Sequence, residues 1–153
     1  MAAVANAEIA ERVVGRWKPT DVAFIRRFEF ENCTSQTFDL ALTVLLQPRP
    51  PLSVGWPDPS GPFWEVEIAF QGVRDLRFTI HGPWDVQCPG FDIEDISDRQ
   101  WEGIKLLVYD YEGEPVGAAL EFGAKAAAIR SCQRAGSGPN CPISPEYPGA
   151  FGQ

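Results

Sequence analysis

Hydrophobic and polar residues alternate along Trp64–Phe70, with Trp64, Val66, Ile68 and Phe70 set against Glu65, Glu67 and Ala69. That period of two marks a half-buried β-strand. Leu76, Phe78 and Ile80 repeat the pattern against Arg77, Thr79 and His81. The five residues between them include Gly72 and Asp75, and predict a hairpin connection with a bulge or a longer loop. In such a hairpin Glu65 and Glu67 lie across from Arg74 and Arg77, a modestly favourable arrangement.

The same reading extends along the chain. Residues 2 to 14 predict a short helix, with Ile9, Val13 and Trp17 in one row and Ala10 and Val14 beside it. Asn6 is the expected N-cap, Gly15 the stop, and Pro19 bars resumption. Val22–Glu31 predicts a strand with Phe24, Phe28 and Phe30 on one face and Ile25, Arg27, Glu29 and Glu31 on the other. After a polar turn at 32–36, residues 38–47 give the longest clean alternation, completing a first hairpin. Later strands are expected at 91–96, 104–111, 120–122 and 126–132, with a turn at 97–103, a tight turn at 112–115 and an irregular crossing at 81–90. From Gln133 the chain is rich in Gly, Ser and Pro and predicts an irregular tail.

One segment breaks every periodicity. Six of the fifteen residues from Pro48 to Pro62 are proline, so neither helix nor ladder runs through it. It predicts a long ordered or semi-ordered loop, of a length that is often functional, the plainer alternative being a surface excursion anchored by Trp56. The strands on either side need each other, so the 153 residues are expected to form one domain. Its class is all-β, mainly antiparallel: a two-sheet sandwich or strongly curved sheet of about eight strands, with the helix covering an edge or end.

Composition narrows the function classes. Acidic residues outnumber basic ones 21 to 13, a formal net charge of −8. That disfavours a nucleic-acid partner and suits a basic protein partner. The longest apolar run, Leu40–Leu46, is far too short to span a membrane. The N-terminus lacks a basic region followed by a continuous apolar one, so no secretory leader is expected. Cys33, Cys88, Cys132 and Cys141 are scattered without a Cys-x-x-Cys pair. Reduced thiols in a cytoplasm are the expectation, with a local Cys132–Cys141 pairing left open.

Candidate chemistry is sparse. A Ser or Cys nucleophile needs a base, and His81 is the single histidine, seven residues from Cys88. A lone histidine at a strand end is more often a surface or capping residue, so no catalytic residue and no cofactor is expected. Asp92, Glu94, Asp95, Asp98 and Asp110 form an acidic cluster, but no calcium-loop spacing is present. A solvated acidic edge is the expectation, with no metal. Trp64 suits the core, whereas Trp56, Trp84 and Trp101 fall in loops beside Asp58, Asp85 and Asp98. Tryptophan flanked by acid suits an interface with a basic partner, making these six the candidate binding residues.

Several motifs follow the order seen in a bacterial toxin-immunity family, immunity protein 50. Gly15-Arg-Trp17-Lys-Pro-Thr-Asp21 leading into Phe24–Phe30 resembles its entry segment, although Lys18 is inserted and Thr20 stands at the family's histidine. Val66–Leu76 is similar to its central hairpin. Gly90–Ile96, Val108–Glu112 and Leu120–Phe122 are similar to its second half. The resemblance implies a small β-rich protein that neutralises a toxin. The expectation is therefore a cytoplasmic, non-enzymatic acidic binding protein of the immunity type, with no nucleic-acid or membrane partner. The alternatives are a small-ligand or carbohydrate-binding β module using the loop tryptophans, then an enzyme built on His81 and Cys88.

Overall fold

A computed structural model describes residues 4–52, 54–80, 90–99, 103–110 and 118–135. The chain is mainly antiparallel β-sheet with one short helix, α1, at Glu8–Val14. Among the described residues there are seven strands: β1 (Val22–Glu31), β2 (Phe38–Leu46), β3 (Trp64–Ile80), β4 (Phe91–Asp95), β5 (Leu106–Asp110), β6 (Ala118–Ala124) and β7 (Ala126–Arg134). The neighbour order is β1-β2-β3-β6-β5-β4, with β7 also on β3.

The predicted central hairpin is instead one strand of 17 residues. Gly72 (φ 61°) and Asp75 (φ 56°) take left-handed conformations that bend β3 without reversing it. β2 pairs the strand as far as Val73, and β6 takes over from Arg74. Merging the two segments is why seven strands stand where about eight were expected. The consecutive β6 and β7 pair antiparallel along the whole of β3, with their own corner at Lys125. The expected pairing of Glu65 and Glu67 with Arg74 and Arg77 is therefore replaced. Glu65 binds Arg26 of β1, and Glu67 binds Arg130 of β7 at 3.1 Å.

The bent β3/β6–β7 ribbon curves the sheet so that its two wings meet in one core. Ile25, Leu42, Val44, Val66, Ile68 and Phe70 join Phe91, Val108, Leu120 and Phe122 in it. Phe70 meets Phe122 edge-on at 4.9 Å, and Phe28 of β1 stacks on Phe78 from the far half of β3 at 4.7 Å. Each fully buried aliphatic or aromatic side chain contributes about 1.5–3 kcal/mol.

Two bulges in β1, at Ala23 and Arg26, shift its register. They turn Ile25 inward beside Phe28 and send Phe24 to the other face, against Leu45 and Phe63. This corrects the simple alternation expected of β1. The N-terminus is also corrected. Asn6 is at φ 60° and does not cap with its side chain, the N-cap being Ala7. Val13 is 45% exposed, and Ala10 rather than Val13 enters the core. Before the helix, Ala5 bridges β7, its N–H donating to the Ala127 carbonyl (2.9 Å) and its carbonyl accepting from Ile129 (3.0 Å). β7 itself runs to Arg134, where an irregular tail was expected from Gln133.

Candidate functional site: an anchored proline-rich loop

The segment after β2 is held at its base by a buried carboxylate. Asp21 closes a one-turn 3-10 helix (Pro19–Asp21) and is only 1% exposed. Its Oδ2 accepts from Arg16 Nε at 2.8 Å, and its Oδ1 accepts from Arg16 Nη2 (2.9 Å) and the Arg49 backbone N–H (2.9 Å). Burying a carboxylate is costly unless donors surround it, and here three do. Arg16 Nη2 also donates to the Arg49 carbonyl, and Arg49 donates through Nε and Nη2 to the Thr20 carbonyl.

Gln47, 6% exposed, supplies the second anchor. Its Oε1 accepts from the Asp58 N–H (2.7 Å), and its Nε2 donates to the carbonyls of Asp58 (3.0 Å) and Pro62 (3.2 Å). A chain with six prolines in fifteen residues lacks the amide donors to satisfy itself, so a buried amide side chain serves that role. Trp56 locks the turn: its indole N–H donates to the Gln47 carbonyl at 2.7 Å, and the Arg49 guanidinium lies 3.7 Å from its ring centre. The Trp56–Pro57 peptide is cis. Asp58 Oδ1 accepts from the Ser60 hydroxyl (2.8 Å) and N–H (3.0 Å), and these bonds hold its carboxyl below the usual aspartate range.

Beneath the loop lies an open hollow of about 390 Å³ lined by Pro48, Pro50, Val54, Trp56, Pro62 and Trp64. At its tip Leu52 and Val54 are 84% and 78% exposed. So a tightly tethered loop carries two aliphatic side chains almost fully into water.

Of the six candidate binding residues, Trp56 and Asp58 share this loop. Trp56 is half-buried and bonded to the scaffold. Asp98 is exposed on the one-turn helix Ser97–Arg99, which follows the far end of β4. The near end of β4 abuts Thr20, because Gly90 packs on its backbone. The structure thus does not bring Asp98 to the Trp56 loop. Trp84, Asp85 and Trp101 lie outside the described residues, as do His81, Cys88 and Cys141. The chain matches no known protein family, no curated protein and no solved structure.

Among the described residues, no three His, Cys, Asp or Glu side chains are placed to hold a metal ion, and no helix is long and apolar enough to cross a membrane. Glu94 pairs with Arg99 at 2.8 Å, and Asp95 Oδ1 accepts from the Ser97 N–H. Cys132 is a half-buried free thiol whose burial raises its pKa. The anchoring residues Arg16, Asp21, Gln47 and Arg49 and the tip residues Leu52 and Val54 were not singled out from sequence. The tip had one available signal: two aliphatic residues alone among Pro, Ser and Gly in a segment with no periodicity.

Proposed function

We propose that this chain is a non-enzymatic binding protein that docks a basic protein partner through the 48–62 loop, in the manner of an immunity protein neutralising a toxin in the cytoplasm. The observation that carries this reading is the pairing of rigid anchor and bare tip, with Leu52 and Val54 at 84% and 78% exposure on a loop tied down at Asp21 and Gln47. A preorganised loop loses little freedom on binding, so burial of its apolar tip is retained as affinity. The net charge of −8 favours encounter with a cationic surface and makes association salt-dependent.

The hollow under the same loop supports a second reading, a small apolar or sugar-like ligand held against Trp56 and Trp64. The two separate by experiment. Under the protein-partner reading, Leu52→Ser with Val54→Ser weakens binding of the polypeptide encoded beside this gene by about 2 kcal/mol or more in surface plasmon resonance. The denaturation midpoint stays unchanged. Wild-type kinetics in that double variant sink the protein-docking reading. A ligand response lost in Trp56→Ala but kept in Leu52→Ser alone, which lies outside the hollow's lining, supports the hollow instead.

A further inference from the structure

At the opposite end of β2 from the proline-rich loop lies a second, polar concavity of about 500 Å³. One wall is the β1–β2 turn, including Ser35 and Gln36, and the other is formed by the β3 bend and the β6–β7 corner. Arg74 comes from the bend of β3, and Lys125 from the β6–β7 corner. Arg74 differs from the other half-buried cations described, and the cations left without an ion pair elsewhere, such as Arg12, Lys18, Arg77 and Arg134, are exposed. Arg16 and Arg49, also half-buried, are committed to Asp21 and Thr20, and Arg26, Arg27, Arg99 and Arg130 each have a carboxylate. Among the described residues Arg74, half-buried, has neither an ion pair nor a hydrogen bond, its guanidinium close against Gly103. A Cβ on Gly103 would stand 3.2 Å from Arg74 Nη2, at a positive φ of 75°. Lys125, exposed, likewise has no ion pair among the described residues.

Partial burial of an unpaired guanidinium costs solvation that none of the described residues returns. Asp39, the acid in the concavity's lining, is already engaged. Its Oδ1 accepts from the Gly72 N–H (3.0 Å) and its Oδ2 from Asn32 Nδ2 (2.8 Å). Arg74, Lys125 and Asp39 leave the concavity one positive charge in excess, within a chain of net −8. Ser35 and Gln36 add side-chain donors on the facing wall.

We infer that this concavity binds the oxyanion group of a small molecule, a phosphate or a carboxylate, with Arg74 as the forked donor and Lys125 as the second charge. A guanidinium matches either group with two parallel hydrogen bonds. The site is independent of the loop reading, since its residues lie at the other end of the sheet.

The test is a titration of the full chain with inorganic phosphate and, separately, with succinate. Each is followed by amide chemical shifts and compared with sodium chloride at equal ionic strength. Saturable shifts at Gly72, Gly103 and Lys125 with one of the two anions are expected, and the anion that saturates identifies the group recognised. Arg74→Gln is expected to weaken that response at least about tenfold and Lys125→Ala by a smaller factor, since a bidentate contact outweighs a single exposed charge. An unchanged amide spectrum elsewhere shows that both variants remain folded. Shifts that follow chloride, that never saturate with either anion, or that persist in folded Arg74→Gln overturn the inference. Should Arg74→Gln fail to fold, the exposed Lys125→Ala decides, and an unchanged response in it is equally fatal.

Discussion

Asp21 concentrates more of the loop's geometry than any residue of the loop itself. Its carboxylate joins the segment before β1 to the backbone after β2, accepting three hydrogen bonds while 1% exposed. Asp21→Ala removes all three and leaves the Arg49 N–H without its acceptor. A loss of about 3 kcal/mol is expected, the low end for a broken buried pair because Arg16 is 37% exposed. Urea denaturation measures it; a change within about 0.5 kcal/mol, as at an ordinary surface site, would show that the anchor is ornamental. None of this was legible in the sequence. A single aspartate before a strand has no periodicity, and its partners lie 5 and 28 residues away. Trp56 was legible as an anchor because an indole in a proline-rich stretch needs a cover and an acceptor. That its acceptor is the Gln47 carbonyl was not.

At the scale of the element, β3 shows where local pattern stops being informative. Gly72 and Asp75 favour left-handed backbone, and such residues either reverse a chain or bend it. Which occurs is decided by distant partners, the pairing with β2 ending at Val73 and that with β6 beginning at Arg74. The alternation on both sides is legible in the sequence, with Val66, Ile68 and Phe70 inward and Thr79 outward. The connection alone is not. Gly72 combines a φ of 61° with a hypothetical Cβ 3.1 Å from that of Lys125. Gly72→Ala is thus expected to cost about 1–2 kcal/mol through left-handed strain and crowding at the bend, against little for exposed Thr79→Ala. Equal denaturation midpoints for the two variants would argue against a strained bend. β1 carries the same lesson, since its bulges move Phe24 and Ile25 to faces that strict alternation reverses.

At the scale of the whole molecule, charge sets the response to acid. Arg130 reaches across the outer face to Glu31 and Glu67. The hydrogen bond from Arg130 lowers the Glu31 pKa. Those from Asn32, Ser60 and Ser97 lower the pKa values of Asp39, Asp58 and Asp95. A carboxyl depressed in the folded state adds stability that is fully present above its ordinary pKa of about 4 and is lost as pH falls through the folded value. Denaturation midpoints are therefore expected to hold between about pH 7 and pH 5 and to decline below about pH 4. Asp39→Asn should flatten that decline; a curve as steep as wild type would remove Asp39 from the account.

The ribbon that curves the sheet also orders events during synthesis. β3 leaves the ribosome with β2 available for its first half, but the partner of its full length lies at residues 118–134. Until then one side of a 17-residue strand offers bare amides and carbonyls to any neighbouring chain. The nascent protein thus passes through a window, about fifty residues long at the ribosome's pace, in which it is most in need of a chaperone.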